Sequence, residues 1–302
     1  MDISQRLANL AVPTGKIDVI IDTDTYNEID DQFAVSYLLK SDEKLNTKAI
    51  YAAPFLNNRS DSPKDGMEKS YNEILKLLGM IGKNVDTYKG SERFLENEST
   101  PVVSAAAEDL AERVKKYSPD KPLYIVAIGA ITNIASAILI NPDVAENAVL
   151  VWLGGHARHY HDTREFNMFQ DVAAARVIMN SGIPLVQLPC FGVVSSFTIS
   201  GPEFEYWFKG KNKLADYLAD NAIKEAERYA KGRAWSRCIW DVTAVAWLLN
   251  DDSFFMLSRI EKTPIPTYDN YYAVNHNGLP MRYVYYIHRD RLLNDLIKKI
   301  TG

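Results

Sequence analysis

Cysteine is scarce: Cys190 and Cys238 are the only two in 302 residues. That excludes a disulfide framework and a cysteine-rich metal site, and both read as buried free thiols in a reducing compartment. No uninterrupted apolar run reaches the roughly 20 residues of a bilayer span. The first residues, Met-Asp-Ile-Ser-Gln-Arg, lack the basic patch and apolar stretch of a signal peptide. The expectation is a cytoplasmic protein without membrane association. An excess of positive charge is also missing, with 34 Lys plus Arg against 39 Asp plus Glu and a net charge of −5. This argues against nucleic acid or an anionic membrane as the main partner. No linker, repeat or low-complexity block interrupts the chain, so one domain over 1–302 is expected.

What is present is a large core and a regular alternation. Apolar and aromatic residues make up 47%, and short β-branched runs alternate with longer segments of helical spacing. This pattern predicts an α/β fold with a mixed, mainly parallel sheet flanked by helices. Strands are predicted at 17–21, 47–52, 85–88, 123–128, 148–153 and 185–188. Helices are predicted to start near Asp30, Asp65, Val102, Ile131 and Asp171. Residues 203–231 read as one or two exposed helices, a lid or an oligomer contact. A short apolar helix at 240–249, strands within 263–287 and an amphipathic helix at 289–300 complete the chain.

The densest chemistry lies behind the first strand, in Asp22-Thr23-Asp24-Thr25-Tyr26-Asn27-Glu28-Ile29-Asp30-Asp31. Helix capping and the helix dipole account for one or two acids here, not four beside a buried strand. Like charges this close raise one another's pKa, and a bound divalent cation is the simplest remedy. Hard oxygen ligands select Ca²⁺ or Mg²⁺. Four further segments are candidates. Ile128-Gly129 turns from a strand toward Thr132-Asn133 and can offer backbone carbonyls. Gly154-Gly155 is followed by His156, His159 and His161 and then by Glu165-Phe166-Asn167, whose polar pair suits adjacent hydroxyls. Trp240-Asp241 opens an almost wholly apolar helix. Asn57-Asn58 follows the second strand on the same edge as the acids.

In order along the chain, these segments resemble the nucleoside hydrolase family, the inosine- and uridine-preferring N-ribosidases. The resemblance implies a Rossmann-like core and one Ca²⁺ at the carboxyl ends of the strands. Carried over, it makes Asp24, Asp31 and Asp241 carboxylate ligands of that ion and Ile128 a carbonyl ligand. It makes Asp24 also the general base for a metal-bound water, with Asn57 as a further catalytic residue. Asp30 and Asn167 would grip the ribose 2′- and 3′-hydroxyls, Glu165 the 5′-hydroxyl, and Asp22 would support the turn. The implied reaction is cleavage of the N-glycosidic bond of a nucleoside or similar ribosyl compound, in purine and pyrimidine salvage. The implied assembly is a homodimer or homotetramer.

Three features depart from the family pattern. The turn 25–29 is longer and bulkier than its usual Pro-Gly form, which predicts a reshaped site mouth. Trp240 stands where the best-known members carry a histidine that protonates the leaving purine, so Trp240 is a candidate to stack on the base. The usual Asn before Glu-Phe-Asn is absent, replaced by the stretch 156–161, which weakens the expected grip on the 5′-hydroxyl; His159 or His161 are candidate replacements for the leaving-group acid, with Arg237, Tyr229 and Trp235 as other base contacts. Two alternatives stay open. Asp22-Thr23-Asp24 also looks like the first motif of haloacid-dehalogenase-type phosphatases, with Asp22 as nucleophile, Asp24 as acid/base and Mg²⁺ as metal. The same fold could also serve as a catalytically silent ribosyl-ligand binding protein.

Overall fold

The computed structural model describes all 302 residues. Twelve strands run in chain order: β1 Ile17–Thr23, β2 Leu45–Ala52, β3 Thr87–Lys89, β4 Leu123–Ala127, β5 Ala148–Leu153, β6 Leu185–Leu188, β7 Thr198–Ser200, β8 Ser236–Cys238, β9 Met256–Lys262, β10 Ile265–Pro266, β11 Tyr272–Ala273 and β12 Pro280–Ile287. Eight form one sheet in the order β3-β2-β1-β4-β5-β6-β12-β9. Every neighbouring pair is parallel except β12 with the edge strand β9. The expected mixed, mainly parallel α/β sheet is thus the observed one.

Alternation along β1 explains the layering. Val19 and Ile21 point into one apolar core and Ile20 into the other, on opposite faces of the sheet. Helices cover both faces, and local signals set their ends. The helix Pro63–Ile81 starts at Ser62, whose side chain accepts from the Asp65 N–H at 3.1 Å, and stops at Gly82 in the left-handed region with φ 74°. The helix Asp30–Leu39 is buried at all ten positions, its two leading acids included.

Topology fixes the place of the site. Chain order reverses at β1, whose neighbours are β2 on one side and β4 on the other. Crevices at such switch points, beyond the carboxyl ends of the strands, are where open α/β sheets bind ligands. The loops after β1, β2, β4 and β5 all open there.

Several expectations need adjustment. The third strand is 87–89 rather than 85–88, and 203–231 resolves into the helices Gly201–Trp207 and Lys213–Ala230. The N-terminal helix Ile3–Asn9 and the edge strand β9 have no counterpart in the sequence reading. The former is held by Arg6, which donates to the carbonyls of Gly182, Ile183 and Pro280. No helix is long and apolar enough to cross a membrane.

Candidate active site

Asp22 is the last but one residue of β1 and is fully buried. Its Oδ1 accepts from Asn133 Nδ2 at 2.7 Å, while its Oδ2 has no partner. Burial pushes its carboxyl up to about 7 even against that hydrogen bond. Asn133 also accepts from the Ser91 N–H and hydroxyl, at 2.7 and 2.8 Å, and so ties its own helix to β1 and to the loop after β3.

Asp24 follows at the turn, and neither of its carboxylate oxygens has a hydrogen-bond partner. Gly129 allows this crowding, because a Cβ there would lie 3.2 Å from Asp24 N and 2.9 Å from the Ala53 Cβ. Asp30 and Asp31 project from the first turn of their helix. Thr23 Oγ1 donates to Asp31 Oδ1 at 2.6 Å, and Asp30 Oδ1 is left without a partner.

Asp241 arrives from more than 200 residues downstream. It stands at the N-cap of the helix Val242–Trp247 but makes no side-chain cap hydrogen bond. Its carboxylate instead meets those of Asp30 and Asp31, with one oxygen from each within 4.8 Å of the others. Burial first, and then the neighbouring acids, drive Asp24, Asp31 and Asp241 well above the usual carboxylate range. Asp30 rises to about 7, through burial and the Glu28 charge, with Arg237 opposing.

Asp24, Asp30, Asp31 and Asp241 are all buried around one crevice, and Asp24 and Asp30 bring carboxylate oxygens with no hydrogen-bond partner. A hard divalent cation fits that donor set. Ile128 borders the same cavity, and its carbonyl oxygen accepts none of the backbone hydrogen bonds of the surrounding turns.

The cavity measures ≈ 310 Å³ and opens over these acids. Asn57, Glu165, Asn167 and Trp240 line it with them. Asn57 is already engaged, its Nδ2 donating to Asn27 Oδ1 at 2.6 Å and its Oδ1 accepting from Arg59 N at 2.9 Å. Glu165 accepts three backbone N–H groups, from Gly155, Asn167 and Met168, at 2.8–3.0 Å. It thereby caps the helix Phe166–Gln170 and anchors the glycine turn, although burial still raises its pKa. Asn167 Nδ2 donates to the Leu153 carbonyl at 3.0 Å, and its Oδ1 accepts no protein hydrogen bond.

His159 and His161 are corrected by the structure: both are exposed and neither lines the cavity. The turn that follows Gly155, at φ 75°, buries His156 and sends the later histidines to solvent. His156, Phe191 and Asn27 also line the cavity, and the sequence reading gave none of them a role. His156 directly follows the glycine pair and could have been singled out. Phe191 carries no local signal at all. Trp235 stacks on Phe204 and Tyr229 is exposed, and neither they nor Arg237 line the cavity. Arg237 pairs with Glu28 at 2.9 Å and fastens the 25–29 turn to β8.

The family model of the inosine-uridine preferring nucleoside hydrolases matches residues 19–279. The chain belongs to the nucleoside hydrolase family. It is therefore a hydrolase acting on N-glycosyl compounds. Among the similar proteins, the pyrimidine-specific ribonucleoside hydrolase RihA of Citrobacter koseri is 25% identical over 259 residues, covering 76% of this chain and 79% of that one. The purine-preferring ribonucleoside hydrolase from Gardnerella vaginalis superposes with a TM-score of 0.76 at 22% identity, over 94% of this chain and 98% of its own. A plant nucleoside hydrolase, PpNRh1, gives a TM-score of 0.76 at 20% identity, over 95% and 99% of the two chains. These nucleoside hydrolases differ in the base that their names specify, so likeness to them names no base here.

Proposed function

We propose that this nucleoside hydrolase is a Ca²⁺-dependent N-ribohydrolase in which Asp24 activates water against C1′ of a ribosyl substrate. The observation that carries the reading is the convergence of Asp30, Asp31 and Asp241, from two distant segments, on the crevice that Asp24 also lines, with unpartnered carboxylate oxygens on Asp24 and Asp30. Asp24, Asp31, Asp241 and the Ile128 carbonyl would hold the cation. When bound, the cation lets the clustered carboxylates ionise together, favours a vicinal diol and makes nearby water more acidic.

The chain's own groups supply the rest. Asp24 takes a proton from water as the water oxygen bonds to C1′. The C1′–N bond breaks with its electron pair leaving on the base, and the products are ribose and free base. The transition state has oxocarbenium character, and carboxylates under the sugar stabilise its positive charge. Asp30, which feels the charges of Glu28 and Arg237, would hold the ribose hydroxyls together with Asn167 Oδ1. Glu165 shapes this wall by fixing Gly155 and Asn167, which supports a positioning part beside its assigned grip on the 5′-hydroxyl. Asp22 and Asn133 hold the turn from behind.

The phosphatase reading loses support from the same geometry. Asp22 is turned toward Asn133, away from the cavity lining, and a nucleophile must face its substrate. The test is chromatographic detection of free base and ribose from a panel of purine and pyrimidine nucleosides. Release of both products from at least one nucleoside is expected, and no release from any contradicts the proposal.

A further inference from the structure

Resting on the ribohydrolase reading, we infer that His156 and Phe191, with Trp240, form the leaving-group subsite, and that His156 acts there as a neutral Nε2–H donor to the departing base. The rings form a connected wall. Phe191 contacts Trp240 edge-on at a centroid separation of 5.3 Å and His156 at 5.0 Å, so it sits between them. Tyr160 stacks on Phe191 at 5.5 Å and 15° and touches His156 at 4.5 Å, backing the arrangement from behind. Phe191 is 44% exposed although it lines the cavity, an apolar face open to a flat ligand. Trp240 immediately precedes Asp241, which puts one end of the wall beside the carboxylates where C1′ would lie.

The hydrogen-bond pattern around His156 fixes its tautomer. The Phe191 backbone N–H donates to His156 Nδ1 at 3.3 Å, so Nδ1 bears a lone pair and the ring proton is on Nε2. Nε2 makes no hydrogen bond, its nearest carboxylate oxygen being Asp162 Oδ1 at 4.0 Å. A cavity-lining imidazole therefore keeps one donor free.

A neutral imidazole of this kind stabilises charge without giving up its proton. As the C1′–N bond breaks, the electron pair spreads onto the base, and Nε2–H donates a hydrogen bond to its nitrogen or oxygen. The base departs as an anion and takes a proton from solvent afterwards. The ligand class is a flat heteroaromatic ring that offers an acceptor and carries negative charge well. Trp240 contributes ring contact in this arrangement, and the donor role moves to the turn after Gly155.

The test compares a nucleoside with p-nitrophenyl β-D-ribofuranoside, whose leaving group needs no donor. His156→Asn is the chosen variant, because its amide oxygen can take over the Phe191 N–H while no donor reaches the Nε2 position. The expected result is a fall of about 10²-fold in kcat for the nucleoside, the scale of one lost transition-state donor, with kcat for the nitrophenyl riboside changed less than about 3-fold. His156→Gln, whose amide reaches the Nε2 position, is expected to recover part of the nucleoside rate. Phe191→Leu is expected to raise KM for the nucleoside more than it lowers kcat. Equal losses on both substrates in His156→Asn, or no loss on either, overturn the inference while leaving the ribohydrolase reading intact. A wild-type protein inactive on both substrates overturns that reading and this inference with it.

Discussion

The acidic crevice makes the protein's stability depend jointly on pH and on a divalent cation. Asp22 and Asp30 are both raised from 3.8 to about 7, in each case chiefly by burial. At about 1.4 kcal/mol per tenfold change, ionising either one in the metal-free folded protein costs about 4 kcal/mol more than in the unfolded chain. Because the folded state binds these protons more tightly, their contribution is fully present below the unfolded pKa of 3.8. It is lost as pH rises through about 7. The metal-free protein should therefore melt at progressively lower temperature from about pH 4.5 to about pH 8. A cation that binds only the folded state offsets part of the loss. At one hundred times its Kd it adds about 2.7 kcal/mol, which for a chain of this size raises Tm by about 4 °C. The assay is thermal unfolding followed by circular dichroism, in CaCl₂ and in chelator, at pH 5 and pH 7.5. The CaCl₂ increment should be larger at pH 7.5, where fewer protons compete for the carboxylates. A Tm indifferent to chelator at both pH values refutes the reasoning.

Two further substitutions probe the supports of the site. Asn133→Ala removes the donor to Asp22 and the acceptor for Ser91, and should cost about 1–3 kcal/mol per group left unpaired, read as a lower urea midpoint at unchanged m-value. Glu165→Gln keeps the shape but weakens three charge-assisted bonds to backbone N–H groups; a loss of about 1–3 kcal/mol in stability together with a raised KM for ribosides is expected, and an unchanged KM counts against its shaping of the sugar wall.

Those parts of the fold and site that rest on local chemistry were legible in the sequence. The strand ending at Thr23 shows as a β-branched run, and the helix Pro63–Ile81 has its serine cap and terminal glycine written at its ends. The acids of the 22–31 turn announced themselves because so many like charges in one buried turn have no structural use. Asp241 was readable from its isolation in an apolar helix start, and the absence of a cap hydrogen bond shows that its position is used otherwise. What stayed hidden depends on distant contacts. Strand β9 carries Arg259 and Glu261 and is half-exposed at the sheet edge, so it lacks the apolar alternation that marks a strand. The helix Ile3–Asn9 is secured by carbonyls more than 170 residues away. Among the histidines after Gly155, only the path of the turn decides which one enters the cavity, and residue type alone does not distinguish them.

The central claim, that Asp24 takes the proton from water over a cation held by its neighbours, is tested most directly by Asp24→Asn. Ribose release from a nucleoside that the wild type cleaves would be measured in parallel with ⁴⁵Ca²⁺ binding and thermal unfolding. The account predicts turnover reduced by at least about 10²-fold in a variant that still folds and still binds the ion through Asp31 and Asp241. Near-normal turnover in that variant would contradict it.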